Sequence, residues 1–376
     1  MMFLTKEEEK LLERGDGVSK CMEILLALGE IFDAERLIPI KSAHISGVSY
    51  KNIGDEGLEW LKNLNVEFTV KTTINPAGID LDRWREMGID EEFFRKQMEI
   101  LNVFKRMGAE LTLTCTPYYI HKPNFGDHLA WSESSAVIYA NSILGARTNR
   151  ESGISALASA VIGKTPYYGL HIKENRSPNV LVKVECDCDP SIVGYKIGSE
   201  IDEIPIFKFK RKLKEYELKA LGASLASTGN ISIFHVFEQT PEWKDFEVPR
   251  ERIVIDRVEL KFDCDPDLIV LGCPHLSKDE VLEVYDIVRD LGNVKREFWI
   301  FLSRYLYERL KDVVMYLESK GVKVFRDTCI IVSPTRKFRC VMTNSGKALT
   351  YLPKLRKVEV TYGSLRECVL KAFEPL

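Results

Sequence analysis

The feature that most constrains the fold is a repeated order of apolar strand, polar loop and helix. The stretch 36–45 predicts a strand that runs into a polar, glycine-bearing loop, and the stretch 66–73 repeats this design. A third strand is predicted over 109–116, after an amphipathic helix over 92–107. Strands and helices that alternate in this order are typical of parallel α/β folds. The sequence therefore predicts α/β architecture with parallel sheets.

The chain length predicts more than one domain. A chain of 376 residues exceeds one ordinary hydrophobic core. The pattern becomes strand-rich after Gly163, and apolar strands and helices alternate again toward the C-terminus. We expect three α/β regions, with approximate bounds of 1–170, 171–260 and 261–376.

Composition and charge exclude several classes of protein. The chain is 45% hydrophobic and 29% charged, with a net charge of −3, which is typical of a globular enzyme and disfavours nucleic acid as the main partner. The sequence has no run of about 18 uncharged apolar residues, so we expect no membrane span. The charged N-terminal segment does not resemble a signal peptide. Nine cysteines in so long a chain form no dense disulfide framework, and we expect a cytoplasmic protein.

Three cysteines that are far apart in the sequence stand in polar turns. Cys115, Cys273 and Cys329 each follow an apolar segment, at the strand end where parallel α/β folds build their sites. Three converging thiolates are one short of closing a four-iron cluster, and the open iron would act as a Lewis acid. Spacing alone does not decide convergence, and the alternative for each residue is a small buried hydrophobe.

The other cysteines have patterns typical of structural residues. They are Cys21, Cys186, Cys188, Cys264, Cys340 and Cys368. The residues at 186 and 188 are close together but have no matched second pair, which makes a zinc site a weak prediction.

Several polar residues are candidates for binding an anion. Arg147 and Arg150 flank Asn149 near a predicted helix end, where guanidinium forks suit a carboxylate or phosphate. The alternative for each arginine is surface solvation. The turns 46–49 and 344–347 have the composition of anion-binding turns, with an ordinary turn as the alternative. The second turn lacks the first glycine of a P-loop, which disfavours nucleotide binding.

Ordered motifs along nearly the whole chain resemble the aconitase X family, a divergent branch of the aconitase superfamily, and in particular its archaeal-type large subunits. The motifs stand at 44–50 (HISGVSY), 75–78 (NPAG), 114–118 (TCTPY), 131–135 (WSESS), 141–151, 163–166 (GKTP), 169–171 (GLH), 272–275 (GCPH) and 344–347 (NSGK). So many motifs in order are far more specific than any one of them.

The resemblance implies an iron–sulfur hydro-lyase built from three aconitase-like α/β domains. By motif, the family's cluster ligands fall on Cys115, Cys273 and Cys329, which implies a [4Fe–4S] cluster with one open iron. In this superfamily a smaller swivelling domain completes the site and brings a serine base. The segment after Lys354 is too short to be that domain. A separate small subunit is therefore implied.

The family-like motifs also supply the remaining site candidates. His171, His275 and Asn149 are the catalytic candidates, although a histidine taken singly is more often a hydrogen-bonded structural residue. The substrate-binding candidates, all in polar or glycine-bearing motifs, are Ser46, Gly47, Val48, Ser49, Asn75, Arg147, Arg150, Lys164, Ser345 and Lys347.

The resemblance to two-subunit archaeal forms implies a specific reaction. It is the dehydration of (R)-5-phosphomevalonate to trans-anhydromevalonate 5-phosphate in a modified mevalonate pathway. Bacterial relatives imply an alternative, the dehydration of cis-3-hydroxy-L-proline. Two other classes are a zinc-dependent hydrolase with Cys and His ligands, and an iron–sulfur regulatory protein that binds RNA. The acidic balance disfavours the RNA-binding class.

Overall fold

The structure is a computed structural model that describes residues 2–260, 264–334 and 338–375. The strands are β1 (Leu37–Pro39), β2 (Ser42–Ile45), β3 (Lys71–Ile74), β4 (Leu129–Trp131), β5 (Lys164–Pro166), β6 (Val180–Val184), β7 (Pro205–Phe209), β8 (His235–Val236), β9 (Arg252–Ile255), β10 (Leu268–Leu271), β11 (Glu297–Phe301), β12 (Lys323–Phe325), β13 (Cys340–Thr343) and β14 (Glu359–Tyr362). The helices are α1 (Lys6–Leu12), α2 (Gly17–Ile31), α3 (Tyr50–Leu64), α4 (Glu91–Arg106), α5 (Ser134–Ser142), α6 (Gly153–Ile162), α7 (Pro190–Glu200), α8 (Glu215–Thr228), α9 (Lys278–Val288), α10 (Arg304–Arg309), α11 (Lys311–Ser319), α12 (Gly346–Arg356) and α13 (Leu365–Phe373).

Three of the sheets are entirely parallel. The first has the order β3-β2-β4, the second β8-β7-β6-β9, and the third β12-β11-β10-β13-β14. A two-stranded antiparallel ribbon joins β1 to β5. The prediction of an α/β fold with parallel sheets is thus confirmed. No helix in the described ranges is long and apolar enough to cross a membrane.

The central strand of the third sheet shows how the sequence specifies a parallel sheet. All four residues of β10, Leu-Ile-Val-Leu, are buried, because helices cover both faces of the sheet. The strand is followed by Gly272, which has a φ of 103°. A Cβ at this position would lie 2.1 Å from the Phe301 carbonyl oxygen, so only glycine fits here. This turn delivers Cys273.

The first and third sheets share a core. One core cluster of the third sheet includes Cys273 and Cys329, and it also contains Ile79 and Trp84 from the segment that follows the first sheet. The two cysteines therefore lie where these parts of the molecule pack together. The buried apolar side chains of this shared core hold the two loops in place, since burial of each large apolar side chain contributes about 1.5–3 kcal/mol to the stability of the fold.

The predicted strand over 109–116 is wrong. The segment makes one isolated bridge, between Glu110 and Thr73, and is otherwise a loop. Leu113 has a φ of 45°, a left-handed conformation that interrupts any strand. Cys115 therefore follows a loop that runs along β3 and not a strand end.

Four of the structural cysteines form disulfides. Cys186 is bonded to Cys188, and Cys264 is bonded to Cys340. The simple packing role predicted for the second pair is wrong, because their Cα atoms lie 6.2 Å apart, within the range that a disulfide requires. The core positions predicted for Cys21 and Cys368 are confirmed, since both are fully buried free thiols.

Candidate active site

A cavity of about 270 Å³ opens where the first and third sheets meet, and we call it the cysteine cavity. Its wall contains residues that directly follow four parallel strands: Ser46 after β2, Asn75 after β3, Ser132 after β4, and Gly272 after β10. The carboxyl ends of parallel strands are the usual position of sites in α/β proteins. The fold thus places polar loops around one cavity.

The structure brings Cys115, Cys273 and Cys329 together on the wall of this cavity. All three are free thiols and are only 5%, 6% and 8% exposed, respectively. Cys273 follows β10, and Cys329 follows β12 after a left-handed residue, Asp327, with a φ of 66°. Three soft sulfur donors in one cavity suit an iron–sulfur cluster or a thiophilic metal ion.

The three thiols have pKa values above the ordinary value. Burial raises the pKa of Cys273 to about 12, although the nearby Lys347 ammonium acts in the opposite direction. Burial also raises the pKa of Cys115 and Cys329, and Lys347 again opposes it. Without a bound metal the thiols are therefore protonated at neutral pH. Metal binding would release their protons, as it does wherever a thiolate becomes a ligand.

An ion pair lies beside the thiols. Lys347, in the first turn of α12, donates to the Glu133 carboxylate at the start of α5. Asn75 Nδ2 donates to the other Glu133 oxygen at 2.9 Å. Burial alone would raise the pKa of Glu133, but Lys347 and the Ser135 N–H outweigh it and lower the pKa to about 2. The three thiols, Glu133 and Lys347 are buried or nearly so, and we call them the floor of the cavity.

His44 supports the floor from behind. Its Nε2 lies 3.3 Å from Asn75 Oδ1, and its Nδ1 lies 2.8 Å from Thr73 Oγ1. The ring is fully buried, and burial lowers its pKa to about 4. A neutral His44 therefore orients Asn75, which in turn holds Glu133.

The exposed part of the cavity wall we call the mouth. It contains Arg150, Leu355 and the turn at Ser46 and Gly47. Arg150 is exposed, and its Nη1 donates to the Ala226 carbonyl at 2.9 Å, which leaves other guanidinium N–H groups for an anion. Leu355 is 52% exposed. The mouth thus combines a cation with exposed apolar surface.

Some of the predicted site residues lie off the cavity wall, around a pair of histidines. Arg147 Nη1 donates to the His171 carbonyl at 3.1 Å. The His171 ring is buried 3.0 Å from His128 Nδ1, and burial lowers the pKa of His171 to about 3. Asn149 accepts from Leu170 N–H at 2.8 Å. These side chains hold the loop at 168–171 beside the cavity wall.

The remaining predicted residues occupy supporting positions. Val48 and Ser49 are buried behind the turn at 46–47. Lys164 lies on β5 and pairs with Glu8 of α1 at 2.7 Å. Ser345 caps α12 and donates to the Cys273 carbonyl, and His275 is fully buried beneath the thiols.

Sequence reasoning missed Glu133, Asn52 and Tyr351 as residues of the cavity wall. Glu133 lies in the Ser-Glu-Ser-Ser segment that caps α5. This polar segment directly after β4 is the sequence feature that could have identified Glu133 as a site residue. Asn52 and Tyr351 lie inside helices, α3 and α12, and no local pattern distinguishes them.

A cluster of carboxylates lies behind Cys329. Oxygens of Asp80, Asp82 and Asp327 lie within 4.8 Å of one another, a spacing that a metal ion could bridge. However, Arg304 contacts both Asp82 and Asp327, and Arg326 contacts Asp82. These guanidinium groups already balance the negative charge of the carboxylates. The carboxylate group connects the Cys329 loop to the segment after β3.

Comparisons with known proteins match the chain along its whole length. Family models match as the aconitase X first domain over residues 1–174, the second domain over 178–265 and the third domain over 266–374. The phosphomevalonate dehydratase large subunit of Methanosarcina mazei is 46% identical, with 99% of this chain and 97% of that protein covered. The cis-3-hydroxy-L-proline dehydratase of Pseudomonas aeruginosa is 30% identical, with 95% and 67% covered.

A solved structure agrees with the sequence matches. The crystal structure of Thermococcus kodakaraensis aconitase X in its holo-form superposes with a TM-score of 0.92 at 42% identity. The match covers 99% of this chain and 100% of that chain.

Proposed function

Because this chain belongs to the aconitase X family, we propose that it is the large subunit of an iron–sulfur hydro-lyase that dehydrates (R)-5-phosphomevalonate to trans-anhydromevalonate 5-phosphate. The observation that carries the proposal is the meeting of Cys115, Cys273 and Cys329 in one cavity beside an exposed arginine. The high identity to an archaeal phosphomevalonate dehydratase large subunit supports this substrate over hydroxyproline.

The donor set of the floor fits an iron–sulfur cluster. The three thiols are unpaired and share one cavity, whereas the free thiols of Cys21 and Cys368 are buried in apolar cores. Three sulfur ligands would leave one iron of a [4Fe–4S] cluster without a protein ligand. When bound there, the cluster would supply a Lewis acid for the departing hydroxyl group.

The residues of this chain would bind and orient the substrate. Dehydration breaks the C–O bond of the tertiary alcohol and removes a proton from the carbon next to the carboxylate, and water leaves as the double bond forms. Phosphomevalonate has an anion at each end, and Arg150 at the mouth can hold a carboxylate or phosphate through its guanidinium group. Lys347 on the floor adds a second ammonium donor, whose charge is balanced by Glu133.

The base that takes the proton would come from a partner. The Glu133 carboxylate on the floor is paired with Lys347, and its pKa of about 2 makes it a poor base at neutral pH. Relatives named as large subunits imply a small subunit. A serine of that subunit, on a domain that closes over the mouth, is the base that we propose.

An exposed apolar groove beside the mouth supports closure by a partner. The groove, of about 390 Å³, runs between α3 and α6 and shares Ser46, Gly47 and Asn52 with the cysteine cavity. Trp60 and Ile154 line it and are 37% and 55% exposed. Apolar surface next to a polar cavity is typical of a surface that another protein covers. Closure there would also exclude water from the reaction.

The test is reconstitution with defined components. The chain is reconstituted anaerobically with iron and sulfide, mixed with the small subunit from the same organism, and supplied with (R)-5-phosphomevalonate or cis-3-hydroxy-L-proline. We expect dehydration of phosphomevalonate only when iron, sulfide and both subunits are present. Preferential dehydration of hydroxyproline would contradict the proposed substrate, and activity with zinc alone would contradict the proposed cofactor.

A further inference from the structure

His275 is the residue at which the three cysteine-bearing segments meet. Its backbone N–H donates a hydrogen bond of 3.3 Å to Cys115 Sγ. Its ring Nδ1 lies 2.9 Å from Thr114 Oγ1, and its Nε2 lies 2.8 Å from the carbonyl oxygen of Thr328. His275 itself lies in the loop of Cys273. One side chain and one amide group thus contact all three segments.

The hydrogen-bond partners fix the tautomer of the His275 ring. The Thr328 carbonyl can only accept, so Nε2 carries the proton and donates it. In the neutral ring Nδ1 then accepts from the Thr114 hydroxyl group. Thr114 Oγ1 in turn accepts from the Thr116 N–H at 3.2 Å. Both ring nitrogens are satisfied in a fully buried residue, so the ring belongs to the framework of the cavity.

The main chain of the same loop is held from the second sheet. Lys219, on α8, donates to the His275 carbonyl at 3.0 Å and pairs with Glu280. Glu280 also accepts from the Ser277 N–H at 2.7 Å, just before α9. The loop of Cys273 is therefore fixed by contacts from segments next to all three parallel sheets.

We propose that His275 is a positioning residue that sets the separations of the Cys115, Cys273 and Cys329 thiols before the cluster binds. The proposal rests on the proposed function only in that these thiols hold an iron–sulfur cluster. Ligands that are fixed in advance lose less conformational freedom on binding. Without the ring, the Thr328 carbonyl loses its Nε2 donor, and the Thr114 hydroxyl keeps only its contacts with Thr116. The hydrogen bonds that join these two segments through the Cys273 loop are then lost.

The experiment measures iron retention, so it does not depend on turnover or on the identity of the substrate. Wild-type protein and the variants His275→Ala and His275→Gln are reconstituted anaerobically, and loss of iron to a chelator is followed with the charge-transfer absorption of the cluster. Residues that orient metal ligands typically change metal affinity by about 10-fold to 100-fold. We therefore expect His275→Ala to lose iron at least about tenfold faster than wild type.

The conservative variant separates positioning from general stability. The amide of His275→Gln can still donate to the Thr328 carbonyl, so we expect an intermediate rate of iron loss. The control is His121→Ala, which removes a partly exposed histidine bound to Glu110, and it should retain iron like wild type. Iron loss at the wild-type rate in His275→Ala would overturn the proposal.

A second pair of variants tests the positioning role of His275 if His275→Ala does not fold. Thr114→Val removes the hydroxyl that donates to the ring, and Thr112→Val removes a buried hydroxyl from the same loop that bonds to Ile74 instead. We expect faster iron loss only in Thr114→Val, and equal rates in the two variants would overturn the proposal. A wild-type chain that binds no iron would contradict the proposed function itself, which is a separate outcome.

Discussion

The floor and the mouth of the cysteine cavity differ in burial and in how their polar groups are paired. The floor is buried, and each of its polar groups has a partner inside the chain, as in the pair of Lys347 with Glu133. The mouth is exposed, and its guanidinium group and apolar side chains face solvent. A closed floor suits a permanently bound group, whereas an open mouth suits a substrate and a partner that come and go. We therefore expect loss of a floor thiol to change iron content, and variants of the mouth or of the groove beside it to leave iron content unchanged.

The largest expected effect is the loss of a thiol from the floor. Cys115→Ala, Cys273→Ala and Cys329→Ala should each abolish stable iron binding after reconstitution, because two thiolates leave two irons of a cluster without a protein ligand. Iron and sulfide analysis measures the effect. Cys368→Ala, which alters a buried free thiol in another core, is the matched control and should retain iron. Full iron content in any of the three variants would remove that cysteine from the ligand set.

The next effect is the acid sensitivity of the floor in the metal-free chain. Burial opposes ionisation of Glu133, but the Lys347 ammonium and the Ser135 N–H outweigh it and lower the pKa of this carboxyl below 4.5 in the folded state, so its ionisation stabilises the fold. Because the folded pKa is the lower one, this stability is fully present above pH 4.5 and is lost as the pH falls toward 2.

Urea unfolding at a series of pH values measures this contribution. In Glu133→Gln the free energy of unfolding should fall less between pH 5 and pH 3 than it does in wild type. Glu56→Gln, at an exposed position, is the control and should follow wild type. An unchanged pH dependence in Glu133→Gln would show that the ion pair does not stabilise the fold.

The sequence predicted much of the floor because several of its residues stand in short, recognisable turns. Cys273 follows a glycine that the backbone requires, and Lys347 follows the Asn-Ser-Gly turn that caps α12. Glu133 was missed because its partner lies 214 residues away, and local patterns do not encode such pairings. The loop before Cys115 was taken for a strand because the left-handed backbone at Leu113 comes from tertiary packing.

The mouth was harder to predict, as the two candidate arginines show. Arg147 and Arg150 were both expected to suit a carboxylate or phosphate near a helix end. In the structure this segment is extended and runs parallel to β4, with isolated bridges from Arg147 to His128, just before the strand, and from Arg150 to Trp131 at its end. Residues three apart in extended chain point to opposite faces. Only Arg150 therefore reaches the cavity, while Arg147 contacts His171.

Because only Arg150 reaches the cavity, Arg147 is a matched control for a variant of Arg150. Arg150→Lys keeps the charge but loses the planar fork. A hydrogen bond to a charged group contributes about 1.5–3 kcal/mol, so kcat/KM for phosphomevalonate should fall by about tenfold or more. Arg147→Lys should stay close to wild type in kcat/KM, and both variants should contain normal iron. A large loss in Arg147→Lys with none in Arg150→Lys would reverse our assignment of the mouth.

The smallest expected effect concerns the apolar groove beside the mouth. Ile154→Glu places a charge on an exposed side chain that we expect the small subunit to cover, and a typical interface residue contributes about 1 kcal/mol. The Kd for the small subunit should therefore rise about fivefold, as measured by calorimetry. Met315→Glu, on the exposed side of α11, is the control and should bind like wild type.

The same measurement separates the small subunit from another occupant of the groove. If the chain alone forms a dimer that Ile154→Glu dissociates, the groove is a contact between copies of this chain, and the small subunit binds elsewhere. If Ile154→Glu weakens binding of the small subunit but leaves the iron content unchanged, the division between floor and mouth holds. A loss of iron in Ile154→Glu would contradict that division. It would show that an exposed side chain outside the cysteine cavity helps to hold the thiols in place.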